Sequence, residues 1–104
     1  MKQLNVGILG LGTVGGGTYA VLTRNAAEIT RRSGYAINVV QVADKNLALA
    51  QSVTDGKVPL TDDAFAVVNN PAVDVVVELI GGYTLSKELV LQAIANGKHV
   101  VTAN

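Results

Sequence analysis

An apolar run, Leu4-Asn5-Val6-Gly7-Ile8-Leu9, leads straight into Gly10-Leu11-Gly12-Thr13-Val14-Gly15, and a stretch of helical character follows. The spacing Gly-x-Gly-x-x-Gly between a strand and a helix restricts the fold more than any other feature of the chain. It is the first strand–turn–helix of a dinucleotide-binding βαβ unit. Gly10 permits the tight turn out of the strand. Gly12 lets the backbone approach a pyrophosphate, and Gly15 lets the helix pack on the strand. In this motif the phosphates sit over free N–H groups at the positive end of the helix dipole. The competing reading is a glycine-rich turn that merely connects strand to helix.

The rest of the chain fits that start. The pattern predicts a strand over 3–9 and one long helix over 13–32. Val14, Val21, Leu22 and Ile29 share one face of that helix. Arg24, Glu28, Arg31 and Arg32 mostly fall elsewhere, and Gly34 is a C-terminal cap. A second strand is expected over 36–43, a short helix over 47–53, a loop over 54–59 and a helix starting at Thr61-Asp62-Asp63. Asn69-Asn70-Pro71 stops that helix near Val68. A third strand over 73–79 is broken by Gly81-Gly82. A helix over 85–96 follows, with Thr84 or Ser86 as N-cap and Gly97 at its end, then a fourth strand over 99–102. Val39-Val40, Val75-Val76-Val77 and Val100-Val101 are near-continuous apolar runs, the mark of strands covered on both faces. The fold class is therefore α/β, a Rossmann-type doubly wound parallel sheet, with residues 1–104 as a single domain.

Bulk properties narrow the function. A chain of 104 residues with 49% hydrophobic and 15% charged residues is globular and builds a core without staples. Zero formal net charge, no basic stripe and 4% aromatic residues argue against a nucleic-acid partner. The absence of cysteine excludes disulfides, thiol nucleophiles and thiolate metal sites, and a single histidine argues against a histidine-based metal site. No cleavage pattern or membrane-length apolar run is visible, so a cytoplasmic location and no membrane partner are expected. The end, Lys98-His99-Val100-Val101-Thr102-Ala103-Asn104, reads as a strand cut at the end where α/β proteins place their chemistry. It suggests a fragment of a longer polypeptide.

Asp44 stands just beyond the second strand, where this fold puts the residue that reads the adenosine ribose. A carboxylate there accepts from both ribose hydroxyls and repels a 2′-phosphate. Lys45 follows and would attract a 2′-phosphate, so NAD and NADP both stay open, and Asp44 also reads as a turn-forming aspartate. Gly81-Gly82 reads either as backbone lying against a nicotinamide or as a helix-entry turn. Glu78 shares a strand face with Asp74 and Val76, and its expected role is structural. His99 reads as a strand-edge histidine, and Thr84 and Ser86 as caps rather than nucleophiles. Nothing in the chain forms an acid/base pair for hydride chemistry.

Three segments carry a resemblance further: Gly10-Leu11-Gly12-Thr13-Val14-Gly15-Gly16-Gly17, Val77-Glu78-Leu79-Ile80-Gly81-Gly82 and Gly97-Lys98-His99-Val100-Val101-Thr102-Ala103-Asn104. Together they strongly resemble the N-terminal region of the homoserine dehydrogenase family. The resemblance implies an NAD(P)-dependent oxidoreductase that interconverts L-homoserine and L-aspartate 4-semialdehyde in threonine, methionine and isoleucine synthesis. It implies that Leu11, Thr13 and Val14 contact the pyrophosphate through their backbone. Gly81-Gly82 and Thr102-Ala103-Asn104 would border the nicotinamide. A lysine near cofactor and substrate, with a further lysine and acidic residues for proton transfer, would lie beyond Asn104. The small-molecule substrate would bind through that further part, and the parent is expected to be a homo-oligomer. Many relatives carry small or basic residues after the second strand; Asp44 departs from that, so NADP preference does not carry over. The other classes are a non-catalytic dinucleotide-sensing module and an S-adenosylmethionine-binding domain.

Overall fold

Five strands pair in parallel in the order β3-β2-β1-β4-β5. The computed structural model describes residues 2–11, 13–80 and 84–102, with backbone alone at 13–16 and 29. Along the chain these are β1 (Lys2–Leu9), α1 (Thr13–Arg24), α2 (Ala26–Ser33), β2 (Tyr35–Ala43), α3 (Leu47–Thr54), β3 (Leu60–Thr61), α4 (Ala64–Val68), β4 (Val75–Glu78), α5 (Thr84–Ala95) and β5 (His99–Thr102). From β1 the chain winds outward through β2 to β3, then crosses back to β4 beside β1 and on to β5. The doubly wound α/β expectation holds.

Both faces of the sheet are covered, which the apolar strand runs require. On one face Val6, Ile8, Val42 and Val77 pack with Tyr19 of α1 and Ala50 of α3. On the other Leu9, Ala43 and Val76 pack with Val67 and Val68 of α4 and Leu89 and Ala93 of α5. The β1–β2 register shifts between Val6 and Gly7, so Val39 pairs with Val6 while Gln41 pairs with Gly7. Such a bulge changes which face the following residues occupy. Val39 and Val42, three residues apart, pack in the first cluster, and Val40 and Ala43 in the second. Gln41 then accepts a hydrogen bond from Asn70 beyond α4, at 2.9 Å.

Four expectations are corrected. The single helix over 13–32 is two, divided at Asn25, whose backbone (φ −100°, ψ 13°) leaves the helical range. Its side chain makes no capping bond, and asparagine is a weak helix former that competes for backbone groups. Gly34 does close α2, with φ +79° and its N–H donating to the Thr30 carbonyl. Val21 is 50% exposed rather than buried; Tyr19 and Leu22 carry the inner face of α1. β3 was not expected, because two residues are too short to show an alternating pattern. Neither Thr84 nor Ser86 is the N-cap of α5: Thr84 is its first helical residue and Ser86 lies inside it, buried.

Candidate dinucleotide cleft

Because every strand runs the same way, the five C-terminal ends align. One register row crosses the sheet through Thr61, Ala43, Leu9, Glu78 and Thr102. Beyond that row the crossovers leave β1 in opposite directions, and such a topological switch point is where open α/β sheets hold ligands.

β1 ends in a turn that needs glycine. Gly10 has φ +95°, a conformation L side chains rarely adopt, and a Cβ there would lie 3.2 Å from the Ile80 nitrogen. The turn is anchored on both sides: Gly10 N–H donates to the Ala43 carbonyl at 2.7 Å and Leu79 N–H to the Leu9 carbonyl at 2.9 Å. Leu11 is buried in the core. α1 then starts at Thr13, so its first amides find no acceptor within the helix. Gly12 lies outside the described residues.

Asp44 meets this turn from the end of β2. Its Oδ2 accepts from Leu11 N–H at 2.6 Å and its Oδ1 from Asn46 N–H at 2.8 Å. The second bond is the Asx turn the local reading expects. The first could not be read locally, since the partners are 33 residues apart. It also engages the Leu11 N–H, so that group is not free for a phosphate. Each carboxylate oxygen keeps a further lone pair for an incoming hydroxyl.

Asp44 and Gly10 line a cavity of about 460 Å³ with Lys45, Asp62, Asp63 and Phe65, and Leu79, Ile80 and Leu85 complete its wall. The Asp62–Phe65 side of this wall was not expected from the sequence. β3 brings it there: Val42 N–H bonds to the Pro59 carbonyl and Asp44 N–H to the Thr61 carbonyl. The visible signal was the acidic pair at the expected helix start; Thr61 instead ends β3, and Asp63 caps α4 by accepting from Phe65 N–H at 3.0 Å.

At the β4–β5 side, Glu78 is buried and accepts from Ser86 Oγ (2.7 Å), Thr102 Oγ1 (2.8 Å) and Ile80 N–H (2.8 Å). This is the structural role expected of it. Gly81, Gly82, Ala103 and Asn104 lie outside the described residues. His99 is exposed on edge strand β5. Among the described residues no three His, Cys, Asp or Glu side chains gather as a metal site, and no helix is long and apolar enough to cross a membrane.

Residues 10–104 match the family defined as the NAD-binding domain of homoserine dehydrogenase. The chain is 68% identical over its full length to homoserine dehydrogenase from Methylobacillus glycogenes and 61% identical to that from Pseudomonas aeruginosa, covering 25% and 24% of those proteins. It is also similar to the crystal structure of a homoserine dehydrogenase from Thiobacillus denitrificans, with a TM-score of 0.92 and 62% identity over all of this chain and 24% of that one. The chain thus spans about a quarter of the length of these relatives.

Proposed function

The chain belongs to the family of homoserine dehydrogenase NAD-binding domains, and we propose that it holds a nicotinamide dinucleotide across the C-terminal edge of its sheet. The pyrophosphate lies over the start of α1, against Gly12 and the backbone of Thr13, Val14 and Gly15, while the Gly10 and Leu11 N–H groups, held by Ala43 and Asp44, shape the turn beneath it. Asp44 accepts from the adenosine ribose. Gly81, Gly82, Thr102, Ala103 and Asn104 border the nicotinamide. When bound, that ring gives or takes the hydride.

The observation that carries this reading is the Gly10 turn. Its positive φ and its close approach to Ile80 bring bare backbone to the switch point, beside a cavity walled by Asp44. A close backbone approach beside the unpaired first amides of α1 suits a pyrophosphate, and a carboxylate acceptor suits ribose hydroxyls. Asp44, Asp62 and Asp63 line the same cavity as Lys45, the lining's one basic residue. Three carboxylates to one ammonium favour NAD over NADP, whose extra phosphate meets like charge. The complete protein, on this reading, is a cytoplasmic homo-oligomeric oxidoreductase. It interconverts L-homoserine and L-aspartate 4-semialdehyde for threonine, methionine and isoleucine synthesis, with its substrate groups supplied outside these residues.

Calorimetric titration of the chain with NADH, NADPH and S-adenosylmethionine tests the binding claim. NADH is expected to bind with a dissociation constant of roughly 0.1–1 mM, about 4–5.5 kcal/mol. NADPH binds more weakly and S-adenosylmethionine gives no heat. Binding of S-adenosylmethionine in preference to either dinucleotide overturns the reading.

A further inference from the structure

Glu78 is 1% exposed at the end of a central strand whose neighbouring residues are apolar. A buried carboxylate is costly unless it is fully hydrogen-bonded, and an apolar side chain would fill the same space without that cost. Among the described residues, donors to Glu78 come from three places in the chain. Ile80 N–H lies just past β4, Ser86 Oγ in the first turn of α5 and Thr102 Oγ1 at the end of β5. Three hydrogen bonds on one buried carboxyl group tie the three stems to a common point and so fix their separation. Ile80 directly precedes Gly81-Gly82, and Thr102 directly precedes Ala103-Asn104.

We infer that Glu78 is a positioning residue for the nicotinamide half of the site, acting through Ile80, Ser86 and Thr102 to hold the end of β4, the first turn of α5 and the end of β5 at a fixed spacing. The inference rests on the dinucleotide reading above. It separates two halves of one ligand: the adenosine half depends on Gly10 and Asp44, the nicotinamide half on the Glu78 bonds.

The test compares ADP-ribose, which lacks nicotinamide, with NADH, whose reduced ring reports its own surroundings by fluorescence. Binding of both is measured for wild type, Glu78→Leu, Glu78→Gln and Thr102→Val. Wild type should raise the emission of bound NADH. Glu78→Leu should bind ADP-ribose within roughly twofold of wild type, lose the emission rise and lose roughly fivefold or more in NADH affinity. Glu78→Gln keeps an oxygen for Ile80 N–H and an amide that donates to the two hydroxyls, so it should retain most of the signal. Thr102→Val removes one arm and should fall between; it carries the test if Glu78→Leu does not fold. Wild-type emission in Glu78→Leu, or parallel loss of ADP-ribose and NADH, overturns the inference. Failure of wild type to bind either ligand sinks the dinucleotide reading instead.

Discussion

The carboxylate of Asp44 holds Leu11 N–H with one oxygen and Asn46 N–H with the other. The turn-forming and ribose-reading roles are therefore compatible, because two acceptor bonds do not exhaust a carboxylate. Asp44→Asn separates charge from shape. Its remaining oxygen still serves one backbone N–H, while the repulsion toward a 2′-phosphate disappears. The ratio of NADH to NADPH dissociation constants at fixed salt should shift toward NADP by about 1–3 kcal/mol, roughly 5–150-fold. An unmoved ratio means that Asp44 does not face the ribose. Gly10 was legible as a residue because only glycine suits the turn that the motif demands. The Glu78 bonds were not: Ser86 and Thr102 are 8 and 24 residues away along the chain, and only folding brings them together.

Among the elements, β1 and α4 meet where the sheet offers no side chain. A Cβ added at Gly7 would run into Cγ1 of Val67 and lie 3.2 and 3.3 Å from the two methyls of Val73. Val67 is fully buried, and its branched side chain has few rotamers to retreat into. Gly7→Ala should therefore destabilise the domain by about 1–3 kcal/mol through overpacking. Urea unfolding monitored by circular dichroism measures this, and a variant as stable as wild type refutes the packing account. The strand periodicity was readable because burial on both faces writes continuous apolar runs into the sequence. The break of α1 from α2 at Asn25 and the two-residue β3 were not, since neither spans a full period of any pattern.

For the whole molecule, the order β3-β2-β1-β4-β5 puts the switch point beside β1, so the glycine turn and Glu78 flank a single edge. The relatives are about four times as long as this chain, and the resemblance places the proton-transfer groups beyond Asn104. The 104 residues alone should accordingly bind NADH without turning over. A steady-state assay with homoserine and NAD or NADP should give no rate above buffer. Homoserine oxidation by this chain would show that its own residues supply the acid and base.

Features that depend on near neighbours were legible in the sequence: the strand–turn–helix around Gly10, the Gly34 stop and the Asx turn at Asp44. Each is fixed by dihedral preference or by a hydrogen bond spanning a few residues, and such forces act before any tertiary contact exists. Folding of distant segments was needed to bring Leu11 to Asp44, Asp62 and Phe65 to the same cavity, and Thr102 of β5 to Glu78 of β4. Parallel pairing causes all three. It aligns the ends of strands far apart in the chain along one row, and no local pattern records which distant ends will share it.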